Sequence, residues 1–163
     1  MLNNSIEKLI LGKDLSIEES KTSMDFIMDG QATSAQIAAF LVSLRIKGET
    51  VEEITGMATS MRNNSLTVPN SSYLVDTCGT GGDGFGTINA STISAIIAAS
   101  GGVKVAKHGN RAASSKSGSA DVLEGLGVVI DLSPDLVARS IEKTNFGFMF
   151  AQTFHPAMRH VGP

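Results

Sequence analysis

The residues from Asp76 to Ser91, DTCGTGGDGFGTINAS, hold five glycines, two carboxylates, one thiol and a tail of small hydroxyl and amide side chains. A backbone this bare, after a buried strand and before a helix start, is where proteins hold phosphate. Its N–H groups can approach an anion with no Cβ in the way, and the helix dipole favours negative charge. A tight turn of purely structural use is the plainer alternative. The stretch contains G-x-G-x-x-G at Gly79, Gly81 and Gly84, a pattern that is weak alone. Three features argue against a dinucleotide fold. The helix is expected to start near Asn89, well past the third glycine. Lys107 and His108 end the next strand, where a ribose-binding acid would be expected. Asp83 sits inside the loop and would repel a bare pyrophosphate. G-x-x-x-x-G-K-[ST] is absent, which excludes a P-loop.

Asp83 narrows the ligand. A carboxylate among phosphate-binding amides makes sense if the ligand also brings hydroxyl donors or a metal, and a phosphorylated sugar with Mg²⁺ brings both. Ser91 and Thr92, at the start of the following helix, can offer hydroxyls to Mg²⁺ or to phosphate oxygens. Mg²⁺ prefers such hard ligands and usually keeps several waters.

A second stretch, KHGNRAASSKSGS, supplies positive charge through Lys107, Arg111 and Lys116, with serines at 114, 115, 117 and 119. Two such loops at the carboxyl ends of parallel strands would make the ligand crevice of an open α/β sheet. Alone, the second loop reads equally well as a solvated surface segment. Cys78 is expected to be a small buried side chain rather than a nucleophile. His155 and His160 are five apart and separated by Pro156, poor spacing for zinc.

The elements that must position these loops are legible around them. SIEES opens a helix with a capping box between Ser16 and Glu19, followed by Ile17, Met24, Ile27 and Met28 at near-helical spacing up to Gly30. A further helix runs from Thr33 or Ser34 to Lys47, with Ile37, Phe40, Leu41 and Leu44 as its apolar set. Another opens at Thr50 with Glu53 and continues through Ile54, Met57 and Met61. NNSIEKLILG adds a shorter first helix. Four helices with tight links predict a small all-α unit over 1–68. After Pro69 the pattern alternates. SYLVDTC, VKVAK, VVI and FGFMFA read as strands. NASTISAIIAASGG, a segment beginning near Ser119, and LSPDLVARSIEKT with Ser133 at its cap read as helices. This predicts an α/β fold: a small N-terminal helical domain, then the first half of a mostly parallel α/β domain over 69–163.

Composition sets broad limits. The 163 residues are 42% hydrophobic and 18% charged, with a formal net charge of −3. That balance gives no global pull toward nucleic acid or an anionic membrane. Cys78 is the only cysteine, so no internal disulfide forms, and a reducing cytoplasm is expected. No secretory leader is expected in the first residues, nor a membrane-spanning run. The last residues, HPAMRHVGP, carry no closing signal, and a truncated chain is expected.

GTGGD at 79–83, NASTI at 89–93 and KHGNRAASSKSGSADVLEGLG at 107–127 together resemble the anthranilate phosphoribosyltransferase family. GQATSAQIAAFLVSLRIKGET is similar to that family's N-terminal domain, and HPAMRHVGP to the start of its next element. The resemblance covers essentially the whole chain. It implies a nucleoside-phosphorylase-like or phosphoribosyltransferase-like fold and a Mg²⁺-dependent glycosyltransferase of tryptophan biosynthesis. The reaction would move the phosphoribosyl group of phosphoribosyl pyrophosphate onto the amine of anthranilate. The enzyme would be a homodimer joined through the helical domain.

By this resemblance Gly79, Gly82, Asp83, Thr87, Asn89, Ala90, Ser91 and Thr92 would bind the phosphoribosyl donor, and Ser91 would also ligate Mg²⁺. Lys107, His108, Gly109, Asn110, Arg111, Ala112, Ala113, Ser114, Ser115 and Ser119 would close over the donor. Gly79, His108 and Asn110 would border anthranilate. Family members are about twice as long. Their later part supplies an arginine for the anthranilate carboxylate and an acidic pair for Mg²⁺. The 163-residue chain is therefore expected to be impaired alone, with an apolar face left open. The alternatives are an enzyme like the pyrimidine nucleoside phosphorylases and a non-catalytic relative that binds phosphate or nucleic acid. The latter would use Lys104, Lys107, Arg111 and Lys116, and is disfavoured by the acidic balance and the absence of stacking aromatics nearby.

Overall fold

The computed structural model describes residues 1–70, 72–79, 88–112 and 117–161. It divides into two compact units. One comprises Met1–Ser65 together with the described residues from His155 onward, and the other is Leu66–Phe154.

The first unit is built from α1 (Leu2–Ile10), α2 (Ile17–Met28), α3 (Ser34–Lys47) and α4 (Val51–Asn63). Three of these helices begin with a reciprocal capping box, at Ser16/Glu19, Thr33/Gln36 and Thr50/Glu53. In each, the cap hydroxyl takes the third N–H while the third side chain returns to the cap N–H, so two orphan donors are satisfied locally. Gly30 and Gly48, at φ of +72° and +86°, let the chain leave α2 and α3.

Leu2, Leu15, Ile27, Phe40 and Leu44 are at the centre of the core, and Ala157 and Val161 pack against it. Three residues predicted to face inward, Ile17, Leu41 and Ile54, are exposed instead. Ile17 is the first residue of α2, and Leu41 is one step around α3 from the buried Phe40. On α4 the seam is made of small residues. A Cβ at Gly56 would run into the Ser20 hydroxyl and the Ile17 carbonyl, and Ser60 Oγ donates to Asp25 Oδ1 at 2.5 Å. The two backbones therefore approach too closely for Ile54 to lie between them.

The second unit comprises α5 (Ala90–Ser100), β1 (Val105–Gly109), α6 (Ser119–Gly125), α7 (Pro134–Thr144), β2 (Phe146–Phe150) and the single turn α8 (Ala151–Phe154). β1 and β2 pair in parallel, from Val105 opposite Phe146 to Gly109 opposite Phe150. Parallel neighbours need a crossover, and α6 and α7 lie in it. Val137 and Ile141 of α7 are fully buried. Gly147 makes room for them, because a Cβ there would sit 2.6 Å from Ile141 and 2.9 Å from Val137. Asn145, left-handed at φ 60°, stops α7 and starts β2. Ser133 occupies the cap of α7 as predicted, but its hydroxyl makes no capping bond.

The predicted strands are corrected in three places. SYLVDTC forms only a bridge, with Val75 parallel to Val105. The VKVAK strand begins two residues later than expected and ends at Gly109. The residues of VVI form no strand. Ile130 instead packs among Ala120, Leu123, Phe148 and Phe150. Ile97, Leu126 and Val129 are exposed, and an open groove of about 290 Å³ runs between Ile96, Leu123, Val128 and Phe146. No helix among the described residues is long and apolar enough to cross a membrane.

Candidate functional site

The two loops singled out in the sequence are rooted side by side at the carboxyl end of β1. Lys107 is the pivot. Its side chain is 1% exposed, and Nζ donates to Ser91 Oγ at 3.2 Å and reaches the His108 carbonyl at 3.5 Å. Burial pushes the Lys107 ammonium below the ordinary lysine range. The negative charge of Asp76 pulls the other way without restoring it. Among the described residues the hydrogen-bond partners of this buried cation are neutral oxygens, with the Asp76 carboxylate acting only through space.

Ser91 lies in the first turn of α5. Asn89 is the cap, and its Oδ1 accepts from the Thr92 N–H at 3.1 Å and from Ser91 Oγ at 3.3 Å. Thr77 Oγ1 donates to the Ser91 carbonyl at 2.7 Å, which ties the segment before the glycine loop to the same turn. Ala90 is exposed on that turn. Thr92 is fully buried, and its hydroxyl donates to Ser119 Oγ at 2.9 Å. The hydroxyls of Thr92 and Ser119 therefore bond each other and link α5 to α6.

Gly109 must be bare for that link to form. A Cβ there would lie 2.9 Å from Ser119 Cβ and from the Phe148 ring. Asn110, which is exposed, accepts the Ala120 N–H at its carbonyl at 3.2 Å and the Arg111 N–H at its side chain at 2.8 Å.

Arg111 was read from the sequence as a phosphate-facing cation. Here its guanidinium pairs with Glu124 at 2.8 Å and Asp121 at 3.2 Å and lies over the Phe150 ring. Those pairs hold it well above its usual range. Asp121 does more than pair. Its Oδ2 accepts the N–H of Ala112 at 2.9 Å and of Gly118 at 2.8 Å, closing the neck of the second loop. Those two N–H bonds, ahead of Arg111, hold its carboxyl below the usual aspartate range.

Gly79 and His108 sit at the two loop roots, Gly79 exposed and His108 half-buried. Cys78 was expected to be buried and is exposed, and its N–H is accepted by Asp76 Oδ1 at 2.9 Å. Gly82, Asp83, Thr87, Ala113, Ser114 and Ser115, with Gly81, Gly84 and Lys116, lie outside the described residues. Sequence reasoning missed Asp76, Thr77 and Asp121. Asp121 had a readable signal as the third residue of a helix entered from Gly118. Asp76 had none, because one of its partners is a backbone N–H 32 residues away.

Two family models match the chain. The glycosyl transferase family helical bundle domain covers residues 3–65, and the glycosyl transferase family a/b domain covers residues 71–163. The chain belongs to this glycosyl transferase family. Within it, the chain is 58% identical to an anthranilate phosphoribosyltransferase of Acetivibrio thermocellus, over 100% of this chain and 48% of that protein. It is 53% identical to one from Persephonella marina, over 99% of this chain and 48% of the relative. Among solved structures, the Thermus thermophilus anthranilate phosphoribosyltransferase matches at 50% identity and a TM-score of 0.87, over 98% of this chain and 49% of that one. The Saccharomyces cerevisiae enzyme in complex with PRPP and Mg matches at 29% identity and a TM-score of 0.88, over the same shares. The resemblance read from the two loops, and the fold it implied, are borne out. The glycosyl transferase chain spans about half the length of the curated relatives it matches.

Proposed function

We propose that this chain carries the donor side of an anthranilate phosphoribosyltransferase, binding phosphoribosyl pyrophosphate for transfer to the amine of anthranilate in tryptophan biosynthesis. The observation that carries the reading is Lys107, an ammonium buried at the junction of both loops with hydroxyl and carbonyl partners. An arriving pyrophosphate would give it the counter-charge that Ser91 and the His108 carbonyl lack. The names of the similar enzymes supply the rest of the substrate assignment.

In the reaction the bond from the ribose anomeric carbon to pyrophosphate breaks, a carbon–nitrogen bond to the aromatic amine forms, and the amine proton leaves to solvent. Positive charge grows on the sugar and negative charge on the departing group. Lys107 and the α5 N-terminus face the departing charge, and catalysis is mostly positioning and electrostatics. His108 and Asn110 border the acceptor.

The Ser91 hydroxyl fits Mg²⁺ as one hard oxygen ligand. The Lys107 ammonium 3.2 Å away suits a cation that arrives with pyrophosphate rather than one resident without it. Among the described residues no group of three or more His, Cys, Asp or Glu is placed to hold a metal. When bound, the metal would offset charge on the departing pyrophosphate.

The helical unit is the homodimer surface in this reading. Ala35, Ala39, Val42 and Ile46 fall at steps of four, three and four along α3, one stripe of the helix. An open groove of about 350 Å³ lies beside Ala35 and Ala39, and Val42 and Ile46 are exposed. In this reading the chain works in the cytoplasm, and turnover by it alone is expected to be weak or nil. Calorimetric titration of phosphoribosyl pyrophosphate with and without Mg²⁺ tests the reading. Saturable binding that strengthens with Mg²⁺ supports it, and an absence of binding in both conditions overturns it.

A further inference from the structure

The helix α6 has little of its own to hold it in place. It is seven residues long, well short of the ~12 that a lone helix needs, and its cap residue, Gly118, has no side chain to offer. Its inner face is seated by Ala120 and Leu123 among Ile130, Phe148 and Phe150. Asp121 and Glu124, three residues apart, share another stripe. Asp121 is in the first turn, where the helix dipole favours an acid. Glu124 is in the last, where the dipole disfavours one, so what that carboxylate gains comes from outside the helix. It comes from Arg111, two residues past β1. Arg111 Nη1 donates to Glu124 Oε2 at 2.8 Å and Nη2 donates to Glu124 Oε1 at 3.2 Å, while Nη1 also donates to Asp121 Oδ1 at 3.2 Å. The guanidinium carbon lies 5.9 Å from the centre of the Phe150 ring, at the end of β2. One side chain thereby joins the ends of both strands to both carboxylates of α6. Ser119 is the first residue of that helix, and its hydroxyl accepts from the fully buried Thr92 at 2.9 Å.

We propose that Arg111 is a positioning residue of the donor site rather than a phosphate ligand: its guanidinium braces α6 against the ends of β1 and β2 and so sets Ser119 against Thr92. The inference rests on the phosphoribosyl pyrophosphate reading above. Both Nη atoms of the fork are engaged with α6. To reach a phosphate, Arg111 would have to surrender those bonds and leave Glu124 unpaired beside an arriving anion. The brace also depends on shape. A planar fork can grip one carboxylate with two N–H groups, a second carboxylate with one of them, and lie over a ring. A lysine ammonium keeps the charge and loses the fork and the flat face. At a phosphate contact, by contrast, lysine remains a competent point charge.

The test is calorimetric titration of phosphoribosyl pyrophosphate with Mg²⁺ into the chain, Arg111→Met, Arg111→Lys, Glu124→Gln and the double variant Arg111→Met with Glu124→Gln, at a temperature where circular dichroism shows each folded. A brace and a phosphate ligand differ in sign at Glu124. With a brace, Glu124→Gln weakens donor binding even though it removes negative charge near an anion. The expected loss is about fivefold, the upper range for exposed ion pairs, with a similar loss in Arg111→Met. The double variant should bind no more weakly than either single one, because both remove the same contact. Arg111→Lys should fail to restore affinity. Without donor, the NMR amide signals of Ser119 and Thr92 should move in both Arg111→Met and Glu124→Gln. Tighter binding by Glu124→Gln, or parent-like binding by Arg111→Lys, overturns the proposal and leaves the donor-binding reading standing. Unchanged affinity in both Arg111→Met and Glu124→Gln does the same. If Glu124→Gln does not fold, Arg111→Lys decides. A parent chain that does not bind the donor removes the donor-binding reading, and the positioning role falls with it.

Discussion

Each compact unit buries a lysine side chain among its described residues, and the two are treated differently. Lys47, at the end of α3, has a side chain 6% exposed and is met by Asp14 at 2.8 Å and by the fully buried Glu53 at 3.0 Å. Burial alone would lower its proton affinity, but hydrogen bonds to Asp14 and Glu53 outweigh that and hold it above the ordinary lysine range. Glu53 is equally well met. Burial would raise its carboxyl, and the N–H groups of Leu15 and Thr50, with Lys47, bring it below the usual range. Among the described residues Lys107 has a hydroxyl and a carbonyl as hydrogen-bond partners, the Asp76 charge acts on it only through space, and burial wins. A lysine that holds a fold brings its carboxylate with it, because a buried charge left alone is costly. A lysine hydrogen-bonded to neutral oxygens at a loop junction is suited to an anion that comes from outside.

The widest test of this contrast is Lys107→Met. Donor affinity should fall about a hundredfold or more, the loss of a desolvated charge-assisted contact, while the thermal midpoint stays level or rises. A stability loss as large as the affinity loss would make Lys107 a structural lysine like Lys47. Glu53→Ala should do the opposite. It strips Lys47, the Leu15 N–H and the Thr50 N–H of their common acceptor, and is expected to cost about 3 kcal/mol in denaturant unfolding. A cost below about 1 kcal/mol would place the pair in the weak class of surface contacts.

The smallest effect is on pH dependence. The carboxyls of Glu53 and Asp25 are both lowered in the folded protein. Their stabilisation is therefore complete above the unfolded values, about 4 for such groups, and is lost as pH falls through the folded ones. Thermal melts should be flat above about pH 5.5 and decline below about pH 4.5. A decline that begins on the alkaline side of neutrality would contradict the assignment.

The same contrast governs what could be read from the sequence. The helical unit was legible because its signals are local. Ser16 with Glu19 and Thr50 with Glu53 are three residues apart and cap as expected. The errors there, at Ile17, Leu41 and Ile54, arose where a neighbouring helix decided burial. In particular, Gly56 and Ser60 brought α2 and α4 close enough to exclude Ile54. In the second unit the glycine loop, Asn89 and the Lys107 loop were visible by residue type. What was hidden depended on distant pairing. SYLVDTC is strand-like in composition yet pairs only at Val75. Arg111 looked like a free cation because Asp121 and Glu124 lie a loop away. Asp76 carries no local pattern that announces a partner at His108.

The central claim is that, among the described residues, Lys107 has no carboxylate hydrogen-bonded to it as Lys47 has, and that a phosphate ligand supplies the counter-charge. Its most direct test is NMR titration of the two lysine side-chain amines, with and without inorganic pyrophosphate. Lys107 is predicted to lose its proton below the ordinary lysine value of about 10.4, with Lys47 above it. Pyrophosphate should raise Lys107 and leave Lys47 in place. Lys107 titrating with Lys47, or unmoved by pyrophosphate, would contradict the account.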